Sequence, residues 1–281
     1  MIYRQIPTSD RANLTDRLRV AHLLADAADD STMAAYHKSH VGNWTKPDGS
    51  LVTEADVATE QQIRQALAQV APGEEILGEE LSGANRGDRW IIDPIDGTEN
   101  FSRRSSIWGT LIAWESQGRI TDALVSAPVL GRRWWASLGR GAFTDGGRRL
   151  SVSDVSEPAH ASICYGGTHE YDRLSLRKLN SLLRCFRTAW GWGNFWGHVQ
   201  VAEGIVDVAI SNGTAIWDAA APALIVAEAQ GSWSDFDGGH RLDAGAFVTS
   251  NTRLHDVATA VTHTMISSDD SPGDNKDGVE R

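Results

Sequence analysis

The chain has 281 residues, 41% hydrophobic and 22% charged, with 26 basic against 37 acidic side chains, a formal net charge of −11. That length affords one large domain or two lobes with a sizeable core, and the acidic balance argues against a nucleic-acid backbone or an anionic membrane as the main partner. Two cysteines, Cys164 and Cys185, exclude a disulfide-rich scaffold and a cysteine-rich zinc site and read as buried thiols.

In chain order, MIYRQIPTSDR carries no apolar core of signal-peptide length. Leu18, Val20, Ala21, Leu23, Leu24 and Ala27 recur at helical spacing, predicting a helix from Asp16 to about Tyr36. NWTKPDGSLVTEAD reads as a turn and an extended stretch, with Pro47, Asp48 and Gly49 as breakers. Thr53 then caps a helix, Asp56 stands three residues on as in a capping box, and Pro72-Gly73 ends the element. EEIL and WIID are short apolar strands, and WGTLIAW, ITDALVSAPV and RRWWASL, punctuated by Gly118 and Gly131, form an antiparallel meander.

Beyond residue 150 the pattern turns to α/β layering. It runs as a strand at ASICY, helices from about Arg173 to Leu183 and Asn194 to Glu203, a strand at VDVAI and a long helix from near Trp217. FVTSN and a helix from about Arg253 close the fold. The longest apolar run, Ala219 to Ala227, falls far short of the ~20 residues of a membrane span. A reducing, cytoplasmic setting follows as the expectation. A boundary near residue 150 separates an α+β lobe (1–150) from an α/β lobe (151–266), and the Ser-, Asp- and Gly-rich tail (267–281) is expected to be disordered.

WIIDPIDGTENF is the most informative segment. An apolar strand delivers Asp93, Pro94 stiffens a turn, Asp96 lies three residues on, and Gly97-Thr98 opens a helix. Two carboxylates so placed can hold hard divalent cations, and the amide groups of a helix start favour phosphate. Taken alone the segment is equally a capped turn. Gly78-Glu79-Glu80 after a strand is equally a solvated turn, and Asp218 or Asp56 equally a helix-start acid.

Together, LVTEAD (51–56), GEE (78–80), DPIDGT (93–98) and WDAAAPALIVAEAQG (217–231) resemble the inositol monophosphatase superfamily of Mg2+-dependent phosphatases over nearly the whole chain except the tail. TKPDGSLVTEAD, SAPVLGRRWWASLGRGAF, LSVS and VAEGIVDVA are most similar to its bacterial histidinol-phosphate phosphatase branch. The resemblance implies an α/β fold, a layered α-β-α-β-α sandwich, and a phosphomonoesterase that releases phosphate from a small phosphorylated metabolite, with two or three Mg2+ per site. It implies that Glu79, Asp93 and the Ile95 carbonyl hold a first Mg2+, that Asp93, Asp96 and Asp218 hold a second, and that a weaker third sits on Glu79 through waters. Thr98, bonded to Asp56, would activate the nucleophilic water, the Gly97 and Thr98 amides would bind phosphate, and Glu80 would stand behind Glu79. Homodimerisation is implied as well. Nucleic acid and membrane are not expected partners.

The match departs from the branch where substrate is chosen. An acid usual after the glycine of a G-D motif is Asn194, and an acid usual seven residues before the W-D aspartate is Ser211. A histidinol ammonium prefers a carboxylate, and Asp207 is a nearby acid that could compensate. Trp190, Trp192, Phe195 and Trp196 make the same region aromatic, either as core or as a stacking platform for a planar ring. A platform favours a nucleoside monophosphate, and an inositol or sugar phosphate is a further rival. Glu99 could tune the mouth, Arg103-Arg104 could guide an anion, Arg132-Arg133 is placed on a β-turn at a subunit interface, and His169-Glu170 lacks a second histidine for zinc. A non-catalytic metal-binding protein is the rival from another class. The intact set of expected ligands and Thr98 argues against it.

Overall fold

The computed structural model describes residues 14–83, 86–168 and 171–266. Helix α1 (Asp16–Tyr36) starts at Thr15, whose hydroxyl accepts the Leu18 N–H, and buries Leu18, Ala21, Leu24, Ala25 and Ala28. A small antiparallel hairpin, β1 (Asn43–Thr45) and β2 (Leu51–Thr53), leads into α2 (Glu54–Val70), which opens on the expected Thr53–Asp56 capping box.

Strands β3 (Glu75–Gly78), β4 (Ser82–Gly83), β5 (Arg89–Asp96), β6 (Gly109–Ser116), β7 (Arg119–Ala127), β8 (Arg132–Ser137), β9 (Gly141–Thr144) and β10 (Arg148–Arg149) form one sheet in the order β10-β9-β8-β7-β6-β5-β3-β4. Only β3 and β5 pair in parallel. Alternation along the strands serves two cores. Trp90, Ile92, Ile112, Trp114, Leu124 and Trp135 pack under α1 and α2. Ile91, Leu111, Ala113, Val125, Trp134 and Ala136 face the other way.

That second face is covered by α5 (Asn194–Ala202) and α6 (Ile216–Glu228), through Phe195, Val199, Ala220, Leu224 and Ile225. Beyond them lies a five-stranded sheet ordered β12-β11-β13-β15-β14, built from β11 (Ser162–Tyr165), β12 (Thr188–Trp190), β13 (Val208–Thr214), β14 (Ser232–Ser234) and β15 (Gly245–Ser250). Cys164 and Ala209 face α5 and α6, whereas Ile163, Val208, Ile210 and Val248 meet α4 (Arg173–Leu183) and α7 (His255–Ile266). The layering is therefore α-β-α-β-α, the architecture expected.

Three local expectations change. Pro94 does not end its strand: β5 continues to Asp96, with a register shift against β6 between Asp93 and Asp96. Arg132 and Arg133 lie in β8, and Arg133 is buried in an ion pair with Asp26 and Asp29 of α1, so it is no turn or interface arginine. Both cysteines are free thiols, but Cys185 is exposed rather than buried. The readings made of residues 1–13, His169-Glu170 and the 267–281 tail lie outside the described residues.

Candidate active site

The register shift in β5 builds the centre of the site. Asp93 pairs with Leu111 and Asp96 with Gly109, so three steps on β5 match two on β6. A bulge of this kind re-aims side chains, and it lets Asp93 and Asp96 point into one space. The Ile95 N–H donates to Asp93 Oδ1 at 2.9 Å and pins the turn. Asp218 arrives on the first turn of α6, where one of its oxygens accepts the Ala215 N–H at 2.6 Å. The helix-start reading of Asp218 is thus correct. Asp93, Asp96 and Asp218 each place a carboxylate oxygen within 4.8 Å of the others.

This is a hard-oxygen donor set suited to a divalent cation. Asp93 is 1% exposed, and burial first, then the charges of Glu79, Asp96, Asp218 and Asp56, hold its carboxyl well above the usual range. A bound cation would offset both causes, so the residues present fit the metal that the resemblance implies.

Next to the cluster, Gly97 turns the chain at φ +88°, and a Cβ there would lie 2.5 Å from Asn194 Nδ2. Glycine is required by the backbone angle and by that approach. Thr98 follows on the short helix α3 (Thr98–Ser102). Its hydroxyl donates to Asp56 Oδ1 at 3.0 Å and lies 3.2 Å from the Ile95 carbonyl oxygen. The other Asp56 oxygen accepts the Thr53 N–H and hydroxyl. Burial pushes the Asp56 carboxyl up to about 6 against these hydrogen bonds.

Glu79 and Glu80 leave β3 side by side, and Lys46, from the β1–β2 turn, donates to an oxygen of each at 2.8 Å. Burial pushes Glu80 up to about 7 despite that partner. Burial also works against the Lys46 ammonium, but its bonds to the two glutamates outweigh it and hold its pKa above the ordinary lysine range. Glu60 of α2 accepts the Glu80 N–H at 2.8 Å, and a Cβ at Gly78 would lie 2.1 Å from its carboxylate. Gly78 therefore exists to admit Glu60. Sequence reasoning missed both Lys46 and Glu60. The TKPDGS turn held the first, and the second left only a glycine before two acids as its trace.

The second sheet closes the site. Asn194 sits at φ +54°, a region asparagine tolerates better than most residues, and the next amide, of Phe195, donates to Asp96 Oδ2 at 2.5 Å. The aromatic run divides. Trp196 packs edge-on to Trp134 at 6.0 Å, within the core, whereas Trp190 and Trp192 stack on each other at 4.9 Å and 13°, with Trp190 42% exposed. Ser211 lies 3.1 Å from Nε2 of His198, whose Nδ1 is 2.8 Å from Thr249 Oγ1. Burial pulls His198 down to about 3, so it is neutral.

Asp207 does not replace the missing acids. It accepts hydrogen bonds from Ser153 and from the amide and hydroxyl of Ser162, at the opening of β11. Arg104 is tied to the Tyr36 and Lys38 carbonyl oxygens behind α1, while Arg103 and Glu99 are exposed and 4.0 Å apart.

Three converging carboxylates, two of them buried, beside a threonine–aspartate pair are the equipment of metal-assisted phosphate chemistry. The inositol monophosphatase family profile matches residues 13–267, and the chain belongs to the inositol monophosphatase family. It is 42% identical over 253 residues to the histidinol-phosphatase of Streptomyces coelicolor, covering 86% of this chain and 94% of that one. Its identity to the histidinol-phosphatase of Mycobacterium tuberculosis is 41% over 250 residues, with 86% and 95% covered. The crystal structure of the extragenic suppressor protein suhB from Bartonella henselae superposes with a TM-score of 0.83 at 26% identity, over 88% of this chain and 98% of that one. The protein is accordingly a phosphoric monoester hydrolase.

Proposed function

We propose that the protein is an Mg2+-dependent phosphatase of histidinol phosphate or a close amino-alcohol phosphate, and that Asp93, Asp96 and Asp218 are its metal carboxylates. The observation that carries the reading is their convergence within 4.8 Å beside the Thr98–Asp56 pair. Glu79 and the Ile95 carbonyl would complete the ligand set, for two or three ions in all. Mg2+ bound there supplies charge for the phosphoryl oxygens and acidity for the attacking water.

The chain's own groups do the rest. The Thr98 hydroxyl donates its hydrogen bond to Asp56 Oδ1, which leaves its oxygen lone pairs to accept one from water, and as that water attacks its proton passes to Thr98 while the Thr98 proton passes to Asp56. Asp56, with a carboxyl pushed up to about 6, is near the range in which a general base works best. The Gly97 and Thr98 amides are the proposed phosphate contacts, and Glu80 is a positioning residue that shares Lys46 with Glu79. The relatives named histidinol-phosphatase support the substrate. The neutral Asn194 and Ser211 stand against amine recognition by charge, and the exposed Trp190–Trp192 stack favours a nucleoside monophosphate as the second reading.

We further read the chain as a cytoplasmic homodimer with lobes divided near residue 150. Among the described residues, no helix is long and apolar enough to cross a membrane. The test is phosphate release with Mg2+ from histidinol phosphate, inositol 1-phosphate, fructose 1,6-bisphosphate and nucleoside monophosphates. Fastest turnover of histidinol phosphate is expected, and preference for a nucleotide would transfer the assignment to the second reading.

A further inference from the structure

Strands β11, β12 and β13 run parallel and bring their carboxyl ends toward the carboxylate cluster. β13 leads into α6 and Asp218, and β12 leads through Gly193 into Asn194 and Phe195, which meet Gly97 and Asp96. Ligands of layered α/β proteins gather beyond the carboxyl ends of such strands. Trp190 is the last residue of β12 and pairs with Cys164. It therefore shares the face on which Cys164 packs toward Gly197 of α5.

Trp192 is two residues from Asn194, at most about 7 Å of chain. It is partly buried against the core and carries Trp190 stacked on it, rings 13° from parallel. Packing accounts for Trp196 and for most of Trp192. It does not account for an indole at the end of an edge strand that keeps 42% of its surface exposed. Exposed flat aromatics beside a polar site are suited to stacking against a ligand ring. Asn194 is neutral and Ser211 is engaged with neutral His198, so neither of these positions offers a carboxylate to a substrate ammonium.

We propose that Trp190, propped by Trp192, is a ring-binding residue that stacks on a planar heteroaromatic ring of the leaving alcohol, and that stacking supplies substrate selection at Asn194 and Ser211 in place of charge. The proposal rests on the phosphatase reading of the site. Two sources share this chemistry, the imidazole of histidinol phosphate and the base of a nucleoside monophosphate.

The experiment compares wild type, Trp190→Ala and Trp190→Phe on histidinol phosphate, adenosine and cytidine monophosphates, and the ringless glycerol 2-phosphate. Oligomeric state is followed by light scattering. For the preferred ring-bearing substrate, Trp190→Ala should lower kcat/KM relative to glycerol 2-phosphate by about tenfold, mostly through KM. Trp190→Phe should restore most of that loss, and the substrate that shows it identifies the ring. Equal losses on all substrates, no loss, or a changed oligomer with unchanged discrimination would overturn the proposal. A readout independent of turnover separates its failure from that of the phosphatase reading. Saturation-transfer NMR of histidinol and adenosine should show the ring protons of one closest to the wild-type protein and released in Trp190→Ala. Loss of phosphate release with that signal intact overturns only the phosphatase reading, and phosphate release without the signal overturns only the stacking.

Discussion

Replacing Asp93 with Asn removes one charge from a site whose carboxylates repel one another. At the 4.8 Å that bounds the cluster, two full charges repel by about 3.5 kcal/mol at an effective dielectric of 20. Burial first, and then its acidic neighbours, raise the Asp93 carboxyl well above its ordinary 3.8, so its charge is costly in the metal-free protein. The sign is set by the direction of the shift: a carboxyl raised on folding costs nothing below 3.8 and costs more as pH rises toward its folded value. Asn retains an oxygen for the Ile95 N–H. Asp93→Asn should therefore stabilise the metal-free protein by about 3 kcal/mol at pH 7 and by almost nothing at pH 4. At about 2–4 °C per kcal/mol, the melting temperature rises by roughly 6–12 °C. The assay is thermal unfolding in chelator at both pH values, repeated in Mg2+. Saturating Mg2+ at a hundred times its Kd should stabilise wild type by about 2.7 kcal/mol and the inactive variant far less. A variant less stable than wild type at pH 7 without metal, or a difference that ignores pH, would refute the reasoning.

Thr98→Ala should lower kcat by about 10²–10⁴-fold with little change in KM, and Thr98→Ser should restore most of it, because the hydroxyl that bonds Asp56 is the working part. Steady-state kinetics on the preferred substrate decides. Arg133→Met leaves Asp29 buried without its guanidinium and should cost about 3–5 kcal/mol in denaturant unfolding, with kcat per folded molecule unchanged. His198, held down to about 3 by burial, stays neutral in the fold but takes a proton at 6.5 when unfolded, so stability is lost as pH falls from 6.5 toward 3. His198→Asn should remove about 2 kcal/mol of the stability lost between pH 7 and pH 5, as read from denaturation midpoints.

Much of this candidate site was legible because its proposed ligands sit where short-range rules speak. The apolar periodicity of α1, the Thr53–Asp56 box and the D-x-x-D-G-T run are local patterns, and each appears where the sequence places it. The five-layer order and the grouping of Asp93, Asp96 and Asp218 came from likeness to a family, since no spacing in one sequence brings residue 218 to residue 93. What remained hidden depends on distant partners. Pro94 reads as a turn until β6 supplies the register that makes it part of a bulge. Arg133 reads as a surface arginine until Asp26 and Asp29 of α1 neutralise it. Asp207 reads as a spare site acid until Ser153 and Ser162 claim it at the far end of β13. The three-residue strand β12 carries too few residues to show a period, so the split between Trp190–Trp192 and Trp196 emerged only from the fold.

The most direct measurement is phosphate release from histidinol phosphate, with and without Mg2+, for wild type beside Asp218→Asn. The account predicts rapid release by wild type only with Mg2+, and at least about a thousandfold less from a folded Asp218→Asn variant. Release that persists without Mg2+ or survives loss of Asp218 would contradict the metal site, and a wild-type protein inert toward histidinol phosphate but active on another phosphomonoester would contradict the substrate.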